Sequence, residues 1–150
     1  MENEHVNLLM RDLCGRLSYN SLKVEYKGDA YDVLGIAHGR MAIALPFSSR
    51  CEHPLVSDGE VLPYLFPLSA MTDEQREEFF NEAQYETQEC DCGRHTEKYF
   101  YDMVGHEDAL YPNYDAIDWL NKNNFDYRGL ITLGLAIDAS KNNVYDNSLA

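Results

Sequence analysis

The residues best suited to chemistry lie at 88–95, QECDCGRH, where Cys90, Cys92 and His95 fall close together. Cys51 and His53, from a proline-punctuated segment, are the candidates to complete a site with them. Zinc takes four thiolate or imidazole ligands in a tetrahedron, and paired cysteines are usually separated by about two to four residues. A single residue between Cys90 and Cys92 makes a poorer chelate turn, so a zinc-stabilised module is the alternative reading and free thiols in a turn the main one. No other cofactor is expected. A redox role lacks the Cys-x-x-Cys spacing. His106, beside Glu107 and Asp108, has the partners of an acid/base group, but no nucleophile or fixed partner accompanies it and a surface loop is the simpler reading. His38 and Arg40 flank a turn that suits an anion or plain solvent. The chain has no P-loop, no Rossmann glycine pattern, no Gly-x-Ser-x-Gly and no His-Glu-x-x-His, which lowers the odds of an enzyme.

Charge is the second chemical signal. The chain carries 26 acids against 12 Lys and Arg, for a net charge of -14. Residues 1–50 are balanced, and the excess of acids lies in the remaining two thirds. Direct contact with nucleic acid needs clustered Lys and Arg on the phosphates and is not expected. Glu74, Glu78, Glu82 and Glu86 form an i, i+4 stripe with carboxylates about 6 Å apart along a helix axis. Like charges at that spacing repel by roughly 0.2–0.5 kcal/mol per pair, which a basic partner relieves. Tyr101, Tyr111 and Tyr114 add aromatic groups of the kind enriched at protein interfaces. The expectation is an acidic, aromatic surface that binds a basic protein partner. A nucleic-acid-mimicking inhibitor of a host enzyme is a further alternative, and a solvated helix face is the plain one.

The elements that hold these residues read as an α+β fold, a small antiparallel meander packed with several short helices. Val6, Leu9, Met10, Leu13 and Leu17 predict a helix over 5–14 with Gly15 as its stop and Cys14 buried beside it. Leu22, Val24 and Tyr26 alternate with charged residues, and Gly28-Asp29 turns the chain into a second strand that ends near 36. Gly35 suggests a bulge. After His38-Gly39 a third strand completes a meander over 22–45, either a small SH3-like curled sheet or part of an SH3-like barrel. Apolar residues at 61–68 are expected to lie across this sheet as a lid, and Ser57 with Glu60 to cap a short turn. Thr72 and Gln75 have capping-box spacing and open a helix whose apolar face holds Phe79, Phe80 and Ala83 with Arg76. A further helix is expected after Thr96, with Tyr99, Phe100, Met103 and Val104 on one face. Asp115 is expected to cap a helix bearing Trp119, which stops in the asparagines at 121–124. Asp126 is expected to cap another that ends at Gly134, with Arg128 paired to Asp126 or Asp118. Trp119 and Phe125 are the expected plugs into the main core, and 135–137 a buried extended stretch.

Two stretches, PYLFPLSAMTDEQ at 63–75 and WLNKNNFDYRGLITLGLA at 119–136, resemble an uncharacterised family of small proteins from Bacteroides-type gut bacteria, their prophages and phages. The resemblance implies an origin and a compartment, with no catalytic residues to transfer. Length predicts one domain over 1–150, with a tail that frays from about 140. No run of 18 apolar residues predicts a membrane span. The acidic N-terminus and unpaired-looking cysteines point to the cytoplasm.

Overall fold

Two turns set the sheet. Lys27 and Gly28 have φ of 52° and 86°, and His38 and Gly39 have φ of 52° and 74°. Positive φ at both central residues is the type I′ signature, whose twist matches that of paired strands. The first turn is thus centred on Lys27-Gly28, one residue earlier than the sequence suggests. The computed structural model describes residues 1–82 and 114–145. These turns join β1 (Lys23–Tyr26), β2 (Asp29–Ala37) and β3 (Arg40–Ala44) into the expected antiparallel meander. The register between β2 and β3 shifts at Val33/Gly35, and Leu34 stands out of the bulge at 62% exposure.

The sheet is larger than the meander. β4 (Cys51–Glu52) extends it beyond β3, and β5 (Val61–Pro67) pairs antiparallel with β1. β6 (Phe125–Asp126) and β7 (Ile137–Asp138) each run parallel to β5. The strand order is β4-β3-β2-β1-β5-β6, with β7 also on β5, so the fold is α+β with a mixed sheet. The expected lid at 61–68 is therefore a strand within the sheet. Its apolar residues pack Val61 and Leu65 into the core from β5 itself. Pro63 has no N–H for the ladder, and pairing of β1 with β5 ends at Val24↔Pro63. One step on, Tyr145 takes over. Its hydroxyl accepts from Lys23 N at 2.9 Å and donates to the Tyr64 carbonyl at 2.7 Å. Residues 140–145 are thus held on the sheet where fraying was expected, and 146–150 lie outside the described residues.

Among the described residues three α-helices flank the sheet. α1 (Asn3–Arg16) buries Leu9, Asp12, Leu13 and Arg16, an i, i+3, i+4, i+7 face. Gly15 does not stop it. A Cβ there would lie 3.2 Å from Asn121 Nδ2, so glycine makes room for a neighbouring helix. Cys14 is exposed rather than buried, on the opposite side from that face. α2 (Asp73–Glu82) opens with the expected capping box: Gln75 N donates to Thr72 Oγ1 at 3.1 Å and Thr72 N to Gln75 Oε1 at 2.9 Å. Val56–Asp58 is a short 3-10 turn without a side-chain cap, so Ser57 does not act as one. α3 (Tyr114–Lys122) carries Asp115 in its first turn and ends where Asn124 adopts a φ of 59°.

The helix expected after Asp126 is absent. Its carboxylate accepts from Leu130 N and Ile131 N, both at 2.9 Å, and closes a turn with Gly129 and Gly134 at positive φ. A carboxylate that satisfies two amides this way stabilises a loop as well as a helix start. Among the described residues the core falls into two clusters. Leu9, Leu13, Val24, Met41, Ile43 and Leu65 centre one cluster, while Met71, Phe79, Phe80, Trp119, Leu120 and Phe125 form another. Trp119 and Phe125 stack at 5.6 Å with planes 8° apart, so they plug the second cluster and not the main one.

Candidate functional site

The helix pair α2–α3 presents the chemistry. Phe79 and Phe80 face inward from α2, and Trp119 meets Phe79 edge-on at 5.4 Å. With that face buried, the acids of α2 must turn outward, and Glu74, Glu78 and Glu82 are exposed. Asp115 and Asp118 lie on α3 opposite them. Between the helices is an open pocket of about 190 Å³ lined by Tyr19, Glu78, Glu82, Asp115, Asp118, Trp119 and Lys122. Among the described residues four carboxylates and one ammonium line it. The indole Nε1 of Trp119 donates to Glu78 Oε1 at 3.1 Å, which satisfies a buried donor and fixes one carboxylate at the pocket wall. Burial raises the Tyr19 hydroxyl above its ordinary value, and the charge and hydrogen bond of Asp118 raise it further, so it remains a neutral donor.

Of the residues singled out from sequence, Glu78 and Glu82 reach this pocket, and Glu74 stands one turn away on the same helix. Tyr114 begins α3. Glu86, Tyr101 and Tyr111 lie outside the described residues, as do Cys90, Cys92, His95 and His106. Cys51 and His53 are exposed at the opposite end of the strand order, on and beside β4. Among the described residues no group of three or more His, Cys, Asp or Glu is placed to hold a metal ion. His38 sits in a turn, and Arg40 Nη1 donates to the His53 carbonyl at 2.9 Å.

A buried charge network on α1 holds α3. Arg16 and Asp12 are both 0% exposed and bonded in a fork, Nε to Oδ2 at 2.8 Å and Nη2 to Oδ1 at 2.9 Å. Arg16 Nη2 also donates to the Phe125 carbonyl at 2.7 Å, and Nη1 to that of Leu120 at 3.4 Å. These carbonyls belong to β6 and the last turn of α3, so one guanidinium ties both to α1. Arg128 Nε approaches Asp12 Oδ1 at 3.3 Å without hydrogen-bond geometry, a coulombic contact. Arg128 therefore pairs with Asp12, not with Asp126 or Asp118. Both arginines lie over the ring of Tyr127, at 5.4 and 5.0 Å, and the Tyr127 hydroxyl donates to Asn121 Oδ1 at 2.8 Å. The sequence carried a signal for this network, since Asp12 and Arg16 occupy the buried helical face set by Leu9 and Leu13.

Among the described residues no helix is long and apolar enough to cross a membrane. No protein-family model, curated protein sequence or solved structure matches the chain.

Proposed function

We propose that this chain is a small binding module whose acidic α2–α3 face takes a basic protein partner, with the pocket receiving a guanidinium or ammonium group. The observation that supports this most is that Glu78, Glu82, Asp115 and Asp118 line one open pocket, with Lys122 as the one cation among the described lining residues. A cleft lined by one sign of charge over an apolar floor concentrates its field and draws the opposite charge in. Repulsion between carboxylates of α2 and α3 is relieved when a cation enters. The fixed indole and buried phenylalanines keep the pocket shaped before binding, which limits the cost of ordering. A cytoplasmic protein of mobile-element origin, as its two motifs suggest, belongs with this reading, and a host protein is then the natural partner.

Trp119 is the sole tryptophan of the chain and lines the pocket, so it reports binding without a label. The test is a fluorescence titration with an arginine-rich peptide at low and high salt. Wild type should give a saturable change that weakens with salt. Glu82→Lys/Asp118→Lys should weaken binding at least tenfold, while Asp29→Lys/Glu60→Lys, which changes net charge equally at exposed positions away from the pocket, should not. Equal loss in both variants would reduce the effect to net charge and reject the pocket.

A further inference from the structure

We infer that the open edge of the sheet at β4 pairs with β4 of a second copy of this chain, antiparallel and two-fold symmetric about Cys51. β4 ends the strand order and pairs only with β3 among the described residues. An edge strand offers unpaired backbone donors and acceptors, a template for another strand. What selects a second copy is the charge order of Arg50, Cys51 and Glu52. In a register with Cys51 opposite Cys51, Arg50 of each copy stands opposite Glu52 of the other. Residues two apart on a strand share a face, and Arg50 Nε already lies 3.3 Å from Glu52 Oε1 within one chain. Pairing exchanges these two intrachain contacts for two cross-strand contacts of the same kind, at side-chain spacings suited to ion pairs.

Two more features fit this occupant. Phe47, in the connection from β3 to β4, is fully exposed and has a φ of 62°. A bulky residue in the left-handed region is strained, and a fully exposed phenylalanine leaves its apolar area in water. Phe47 lies four residues before Cys51, in the turn that leads into the edge strand. Arg50 and Glu52 carry opposite charges, so the paired stretch itself brings no net charge to the contact. Pro54 ends the strand after Glu52 and His53, so the paired edge is short. A two-fold contact uses up the edge of both copies and closes the assembly as a dimer.

The test combines sedimentation velocity across a concentration series with cross-linking by diamide, which takes two electrons and two protons from a thiol pair and is reduced to the hydrazine. Wild type should shift toward twice its 17.3 kDa mass as concentration rises, and should form a Cys51–Cys51 disulfide, located by peptide mapping. Cys14, also exposed, measures the cross-linking that random collision gives. Arg50→Glu alone and Glu52→Arg alone each place like charges opposite each other and should lose the dimer and the cross-link. An equimolar mixture of the two restores opposite charges at both contacts and should recover a mixed dimer. Phe47→Ser should weaken the wild-type dimer with an unchanged circular dichroism spectrum. The inference is overturned by a wild type that stays monomeric throughout, by Cys51 cross-linking no faster than Cys14, or by single variants that dimerise without mixing.

Discussion

Replacement of Arg16 by Met tests the claim that a buried ion pair holds α3 and β6 on α1. The substitution keeps an unbranched side chain of similar length and removes the guanidinium. It strips a fork from Asp12, a 2.7 Å donor from the Phe125 carbonyl and a longer one from Leu120. Removing one partner of a buried pair costs about 3–5 kcal/mol, because the other charge stays desolvated. Arg128 remains within 3.3 Å of Asp12 and compensates part of that charge, which sets the expectation at the lower end, about 3 kcal/mol. At roughly 2–4 °C per kcal/mol for a chain of this size, the midpoint of melting should fall by about 6–12 °C. Urea unfolding followed by circular dichroism measures the free energy, with an unchanged m value as the check that the same surface is exposed. Asp12→Leu/Arg16→Met removes the stranded carboxylate and should recover a part of the loss, though two carbonyls remain without a donor at about 1–3 kcal/mol each. The coupling between the two sites should exceed about 1 kcal/mol. A cost below about 1 kcal/mol for Arg16→Met, or costs that simply add, would refute the reasoning, since surface pairs behave that way.

Tyr145→Phe removes the hydroxyl that bridges β1 and β5, strands Lys23 N and the Tyr64 carbonyl, and should cost about 1–3 kcal/mol by urea unfolding. The same residue gives a pH signature. Burial raises its folded-state pKa above the ordinary 10.0, so the unfolded chain loses this proton first. The stability it contributes is present below pH 10.0 and declines as pH rises above it, and Tyr145→Phe should show a shallower alkaline decline. Identical alkaline slopes would reject the buried hydroxyl. Gly15→Ala in an exposed helix interior would gain about 1 kcal/mol from propensity. Here the new Cβ meets the Asn121 amide at 3.2 Å, and Asn121 is held by Tyr127, so a thermal melt should show a loss instead.

The acidic pocket was half visible in the primary structure. The Glu74, Glu78, Glu82 spacing and the inward Phe79 and Phe80 are periodic, so they show which side of α2 is wet. Asp115 and Asp118 carry no such signal, because their place opposite α2 depends on how α3 docks. That docking runs through Arg16, whose partners Leu120 and Phe125 are more than a hundred residues away in the chain.

What the sequence by itself determined was local. Alternation in β1, the presence of turns ahead of β2 and β3 (the first displaced by one residue), the bulge near Gly35 and the Thr72–Gln75 capping box all rest on interactions within a few residues. Their energies do not depend on the rest of the fold. Tertiary structure decided the remainder. An apolar run at 61–68 reads equally as a lid or a strand until the edge of β1 offers it hydrogen bonds. Asp126 caps equally well a helix or a turn, until β6 pairs with β5 and fixes the chain that leads into it. Gly15 reads as a stop until α3 needs its space, and Arg128 lies near two acids in sequence but meets Asp12 in space. In each case the local options lie within a few kcal/mol of one another, and burial against a distant element selects between them.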